Sequence, residues 1–203
     1  MKKLLVIFLF VFLASNPFFA QTTFNIEIKK SSSITINGTT NLLSFRLSQD
    51  GEKLKKRNFV ITANQNKDKI ILSQNENSII VKDFTSNNKM AKRDFLKLVK
   101  ADIFPTINFQ LNYFEIDKNF NKPDLSHANV SINLIITGKS TNYDILVKSK
   151  HEGDIYTLDG SKKINIRDFG LTPPVEMLGL IHVNEWIEIN FHIICIISSK
   201  SPH

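Results

Sequence analysis

The chain has 203 residues, 42% of them hydrophobic, and a formal net charge of +7. That length suits one ordinary domain with enough apolar surface for a core, and the modest positive charge fits a solvated surface better than a nucleic-acid interface. The lone cysteine, Cys195, excludes an internal disulfide, so the core alone must stabilise the fold; set in an apolar run, it reads as a small buried hydrophobe.

The first twenty residues have the pattern of a secretory leader. Lys2 and Lys3 precede the apolar run Leu4–Ala14, and the segment closes on the small residue Ala20. A bilayer-spanning helix needs roughly 20 apolar residues, more than this run supplies. We place the leader at 1–20 and a single domain at 21–203. No cysteine follows the apolar run, which excludes lipid attachment at an N-terminal Cys. Export to the periplasm is the expected localisation.

Beyond the leader, apolar and polar residues alternate: Phe24, Ile26 and Ile28; Ile34 and Ile36; Phe45 and Leu47; Phe59, Ile61 and Ala63. Ile70 with Leu72, then Ile79 with Val81, predict two strands joined by a polar turn at Ser73–Ser78. Lys89–Lys100 breaks the pattern. Its apolar residues, Met90, Phe95, Leu96, Leu98 and Val99, recur near the helical period, so an amphipathic helix is expected, ending before Phe104–Pro105. Alternation resumes at Ile107, Phe109 and Leu111, and the polar stretch Asp117–Ala128 reads as a loop. Ile132, Leu134 and Ile136 follow, with Gly138 at a tight bend.

Ile145 and Val147 precede an expected charged turn at Lys148–Asp154. Gly160 is expected to relieve a bend before a strand carrying Ile164 and Ile166, and Pro173–Pro174 to open a short helical turn reaching Leu178. The final strand has the clearest pattern: Ile187, Ile189, Phe191, Ile193 and Cys195 on one face, Glu188, Asn190 and His192 on the other. Period two over this many segments predicts an antiparallel sheet with one wet and one dry face, in a barrel or a sandwich.

Catalytic signatures are absent from the sequence. The histidines at 127, 151, 182, 192 and 203 show no metal-ligand spacing, and no G-x-S-x-G elbow or oriented Cys–His arrangement occurs. His182 and His192 flank the last strand without a nameable third ligand. Asp94 and Asp102 carry no mark of an acid–base pair. Asp168–Gly170 spells the kinase metal-binding triplet, but the phosphate loop and catalytic loop that give it meaning are missing. Asn37–Thr39 is a glycosylation sequon, which matters only in a secretory pathway with that machinery. No catalytic residue, metal or cofactor is expected.

Four blocks in order carry a family resemblance. They are Ser32–Leu42 (SSITINGTTNL), Met90–Phe109 (MAKRDFLKLVKADIFPTINF), Ser131–Val147 (SINLIITGKSTNYDILV) and Leu158–Phe191, with its DFG-x-x-PP segment. Together they resemble the YceI-like family of exported, lipocalin-like proteins. Two departures stand out: Asn37–Gly38 lies near the place of the family's usual opening histidine, and Thr137–Asn142 replaces its typical hairpin.

The resemblance implies an all-β fold: an extended antiparallel, lipocalin-like eight-stranded β-barrel with one capping helix. It also implies a periplasmic binding or carrier protein for a long-chain apolar lipid such as a polyisoprenoid, not an enzyme. Expected partners are a long-chain isoprenoid or fatty lipid and transiently a membrane, with no nucleic acid and a homodimer as oligomeric state. On the inward phase of the strands, the expected tunnel lining is Phe45, Phe59, Ile61, Phe109, Leu134, Ile136, Ile145, Ile189 and Phe191. A filled core would use the same side chains, so an exported structural or interaction domain with a plugged barrel is the alternative.

Overall fold

The computed structural model describes residues 22–55, 58–66, 69–73, 75–115, 126–176 and 180–200. The leader at 1–20 and most of the loop expected at Asp117–Ala128 lie outside the described residues. Thirteen strands are present among those described: β1 (Thr22–Ile28), β2 (Ser33–Thr39), β3 (Ser44–Asp50), β4 (Asn58–Asn66), β5 (Lys69–Ser73), β6 (Glu76–Ile80), β7 (Thr106–Glu115), β8 (Ser126–Ile136), β9 (Lys139–Glu152), β10 (Ile155–Asn165), β11 (Val175–Glu176), β12 (Ile181–His182) and β13 (Trp186–Lys200). Two α-helices join them, α1 (Gly51–Lys55) and α2 (Lys89–Leu98).

The pairings make a closed antiparallel circuit. It runs β1–β4–β5–β7–β8–β9–β10–β13 and returns from β13 to β1. β13 is long enough to serve two partners on one edge: Cys195–Lys200 pairs with β1, and Glu188–His192 with β2. β1 and β2 are therefore two lengths of one interrupted barrel strand. β3 and β4 make a second such strand, pairing with β2 and β1 in turn, and β5 and β6 make a third along the edge of β7. Counted this way the barrel has eight staves, the number at which the interior is just wide enough for side chains or one slender ligand.

The interruptions occur on neighbouring staves and are bridged locally. At the first, Ser32 Oγ accepts from Ile194 N (2.9 Å) and donates to Ile194 O (3.0 Å), replacing a ladder step with a side chain. At the second, α1 turns so closely over the Lys29–Lys30 backbone that a Cβ on Gly51 would lie 2.3 Å from Lys30 O. At the third, Asn75 Nδ2 donates to Leu111 O (2.8 Å) and its Oδ1 accepts from Leu111 N (2.6 Å). The register of β7 against β8 shifts beside it, between Leu111 and Tyr113. A polar side chain reproducing a backbone pair keeps buried amides satisfied where the ladder is broken.

Beyond this line of breaks β3 and β6 do not pair. Ser48 instead exchanges two 2.8 Å backbone hydrogen bonds with Thr85, and the fully buried Phe84 packs with Leu47 and Ile36. The helix expected over Lys89–Lys100 is α2. Asn88 caps it by accepting from Met90 N and Ala91 N, and Phe95 meets Phe84 edge-on at 5.5 Å. α2 thus covers one end of the barrel. We call this the helix end; the circuit through β1, β4 and β5 forms the far end.

Several local expectations are corrected. Ser73–Ser78 is not a hairpin turn: β5 and β6 follow one another along β7, because Asn75 carries the chain straight across the break. The charged stretch Lys148–Glu152 belongs to β9, which turns only at Gly153–Asp154; its exposed lysines face solvent from a strand. Ser126–Ala128 is already β8. The chain leaves the sheet at Asn165, so Ile166 is in the 3-10 turn Ile166–Phe169, closed by Gly170 at φ 67°. Past Pro173–Pro174 the described chain is extended, Val175–Glu176 pairing with Ile181–His182, rather than helical. Gly160 sits inside β10, not ahead of it.

Candidate functional site

The inward faces follow from alternation and burial. On β13 the odd residues Ile187 to Cys195 face in, on β9 Tyr143, Ile145 and Val147, and on β10 Leu158, Gly160, Lys162 and Ile164. Apolar side chains gather at both ends. At the helix end Val81, Ile107, Ile136, Ile164, Ile166 and Phe169 form a buried cluster, with Leu134, Ile187 and Ile189 packed on it. Ile36, Leu47 and Phe84 form a second, flanked by Phe45 and sharing Ile189. At the far end Ile61, Ala63 and Leu72 pack with Phe24, Ile26, Leu111 and Phe114.

Between these clusters burial is mixed: Asn77, Val130, Val147 and Cys195 face in and are buried, while other inward residues are half-buried. Phe109, Ile132, Ile145, Leu158, Phe191 and Ile193 point into the ring, belong to no buried cluster and retain solvent-accessible surface. An inward side chain in a closed sheet stays accessible only where its neighbours leave space. Buried and half-buried inward side chains therefore alternate between the two ends.

The nine lining residues divide accordingly. Phe109, Ile145 and Phe191 are half-buried and outside the clusters. Leu134, Ile136 and Ile189 belong to the helix-end core, Phe45 flanks it, and Ile61 is in the far-end cluster. The backbone of Phe59 pairs with Ile26, but its side chain lies outside the described residues.

Two glycines shape the wall in a way alternation does not reveal. Gly160 pairs with Phe191 and Gly38 with Phe45. In each pair the ring lies across the glycine: an added Cβ would come within 2.3 Å of Phe191 Cζ or 2.2 Å of Phe45 Cζ. A glycine inside a strand lets the sheet bend, and the cross-strand aromatic covers the exposed backbone. Each pair also borders a groove on the outer wall. One of about 710 Å³ runs past Asn37, Arg46, Lys163, Trp186 and Glu188, and one of about 500 Å³ past Thr35, Lys148, Asp159, Asn190 and His192. In the second, His192 Nδ1 and Asp159 Oδ1 are 2.6 Å apart.

Polar groups inside are few. Gln49, on the same strand face as Leu47 and only 3% exposed, keeps a buried carbonyl oxygen with no partner among the described residues. The pairing of β9 with β10 ends at Val147–Gly160, and polar groups fill the parting beyond it. Lys162 Nζ donates to Asp144 O at 2.7 Å, and Tyr143 donates its hydroxyl to Asp168 Oδ2 at 2.9 Å. Burial, then this hydrogen bond and the Asp168 charge, push the Tyr143 phenol far above its ordinary range. Asp168, whose triplet carries no kinase sense, is thus a partner for a wall tyrosine, and Phe169 packs in the core. Burial pushes the Cys195 thiol up to about 11, which keeps it protonated and unreactive.

A sequence profile of the YceI-like domain matches residues 16–195, and the chain belongs to that family. Among solved structures it is similar to BcnA from Burkholderia cenocepacia, at 18% identity and TM-score 0.58 over 80% of this chain and 95% of that one. It is also similar to a polyisoprenoid binding domain from Saccharophagus degradans implicated in plant cell wall breakdown, at 8% identity and TM-score 0.55 over 85% and 97% of the two chains. At such identities the likeness is one of fold. Among curated proteins, none matches the sequence.

Proposed function

We propose that this protein is a binding protein for a long-chain apolar lipid such as a polyisoprenoid, held lengthwise inside the barrel, and that it carries this cargo in the periplasm without catalysing a reaction on it. The observation that supports the reading most is that Phe109, Ile132, Ile145 and Phe191 point into a closed ring and are only half-buried there. The polyisoprenoid binding domain of similar fold adds support at the level of ligand class. A secretory leader at 1–20 fits a periplasmic place of work.

A polyprenyl chain has no hydrogen-bonding groups along its length, so an apolar wall satisfies it. Each methylene-sized unit removed from water contributes about 0.8 kcal/mol, and part of that gain is lost to ordering the chain. Such a wall selects by length and width. In this reading Phe109, Ile145 and Phe191 grip the middle of the chain. Leu134, Ile136, Ile189 and Phe45 limit it towards the helix end, and Ile61 and Phe59 towards the far end.

Organic extraction of the purified protein, followed by mass spectrometry, tests this. A stoichiometric long-chain lipid is the expected result. Repeated recovery of no lipid, together with no uptake of added polyprenols or fatty acids, overturns it in favour of a barrel filled by its own side chains.

A further inference from the structure

The β2–β3 hairpin and the paired strands β11 and β12 meet at the helix end and are tied to each other through Asn41. Asn41 Nδ2 donates to Leu180 O (2.9 Å), Asn41 Oδ1 accepts from His182 N (3.0 Å), and Asn41 N donates to His182 O (3.1 Å). A bridge between Thr40 and Val183 completes the junction. These bonds fix the β2–β3 tip beside the β11–β12 ribbon. From this joint rim Leu42, Leu43, Val175 and Leu180 project with 66%, 69%, 54% and 69% of their surface exposed. A hairpin tip needs polar turn residues to be soluble, and adjacent leucines there at such exposure are costly unless something covers them.

Immediately behind the rim stands Trp186, 44% exposed, with the Lys163 ammonium 5.5 Å from its ring centroid. Lys163 and Arg46 line the outer groove that also contains Trp186, with Glu188 between them in the register. The order is therefore apolar tips, then an indole, then a charged row of two cations and one carboxylate. That is the layering of a bilayer surface read from inside outward: acyl chains, the interfacial zone that tryptophan favours, and the headgroup charges. Leu42 and Leu43 stand at the turn of the β2–β3 hairpin, past its last ladder pair Thr39–Ser44, a placement from which apolar side chains can enter a soft lipid surface.

We propose that the joint rim of Leu42, Leu43, Val175 and Leu180 docks on an anionic bilayer, with Trp186 at the headgroup level and Lys163 and Arg46 against the lipid phosphates. The face is distinct from the interior, so the inference goes beyond the cargo reading and is testable without it.

The test is co-sedimentation of the purified protein with vesicles of phosphatidylethanolamine and phosphatidylglycerol, and with vesicles of phosphatidylcholine alone. Binding is expected to the anionic vesicles, weaker to the neutral ones and weaker at high salt. The double variant Leu42→Asp with Leu43→Asp should lower binding about tenfold or more, through lost apolar burial and added repulsion. Leu146→Asp, at an exposed apolar residue on the barrel wall, should leave binding unchanged. Thermal melts show that both variants fold, and extraction shows whether cargo is retained. Equal binding by the double variant, no binding of the wild type to either vesicle, or a wild-type dimer that the double variant abolishes would overturn the proposal. Cargo recovered from a protein that ignores vesicles would defeat this inference and leave the carrier reading standing.

Discussion

The ring of Phe191 lies across the backbone of Gly160, its strand partner, so closely that a methyl group on Gly160 would come within 2.3 Å of Phe191 Cζ. The same relationship holds between Phe45 and Gly38. Gly51 is crowded differently, by the carbonyl oxygens of Lys29 and Lys30. A phenyl ring turns about its χ angles, whereas a backbone turn does not yield cheaply. Gly160→Ala should therefore cost about 1 kcal/mol and displace Phe191, and Gly51→Ala about 3 kcal/mol. Urea denaturation of the two variants decides the order. The reverse ranking would show that the rings, not the α1 turn, are the rigid elements.

The side-chain bridges at the strand breaks make a second graded pair. Asn75→Ala removes both partners of Leu111, leaving an N–H and a C=O unpaired, and should cost about 2–3 kcal/mol. Ser32→Ala should cost less, about 1–2 kcal/mol, because Lys29 N still donates to Ile194 O at 2.7 Å. Equal losses in a denaturation series would contradict this account of the breaks.

Gln49 carries a buried carbonyl oxygen that no described group pairs. Such a group destabilises a fold by about 1–3 kcal/mol, and an apolar residue of similar volume escapes the penalty. Gln49→Met is expected to raise the denaturation midpoint of the lipid-free protein. A lower midpoint would mean that the amide makes a bond worth more than its buried oxygen costs.

The Tyr143 phenol, held above its ordinary value of 10.0, sets a direction for alkaline stability. The phenol ionises first in the unfolded chain. Its contribution to stability is therefore complete below pH 10 and is lost as pH rises beyond it. The stability gap between the wild type and Tyr143→Phe should shrink above that pH. A gap constant through the alkaline range, measured by chemical denaturation, would remove the Tyr143–Asp168 bond from the account.

Strand identity is legible in the sequence because period two survives wherever one face is buried, as in Ile187–Cys195. The helix is legible because Met90–Val99 changes that period. Pairing is less accessible. Nothing local in Ser73–Ser78 distinguishes a hairpin from a strand that continues across a break, because the deciding contact is Asn75 with Leu111, 36 residues away. The place of Gly160 is hidden for the same reason, since its role depends on Phe191. Pro173–Pro174 fixes backbone direction but not the structure of the next residues, and pairing with Ile181–His182 draws Val175–Glu176 into a strand. Of the expected lining, the alternation supplies the inward side but not the degree of packing. Phe109 and Ile136 share a pattern, yet the first is half-buried and the second is in a core.

β13 is the keystone of the ring: its residues 186–200 pair with β10 on one edge and with β1 and β2, from the opposite end of the sequence, on the other. Until that stretch arrives, β1 and β2 have an unfilled edge and the sheet is an open ribbon with its oily side uncovered. Closure joins segments separated by most of the chain, a connectivity that favours slow folding. The nascent ribbon is therefore the form most exposed to proteolysis and aggregation, and the last stave laid is the one that ends that exposure.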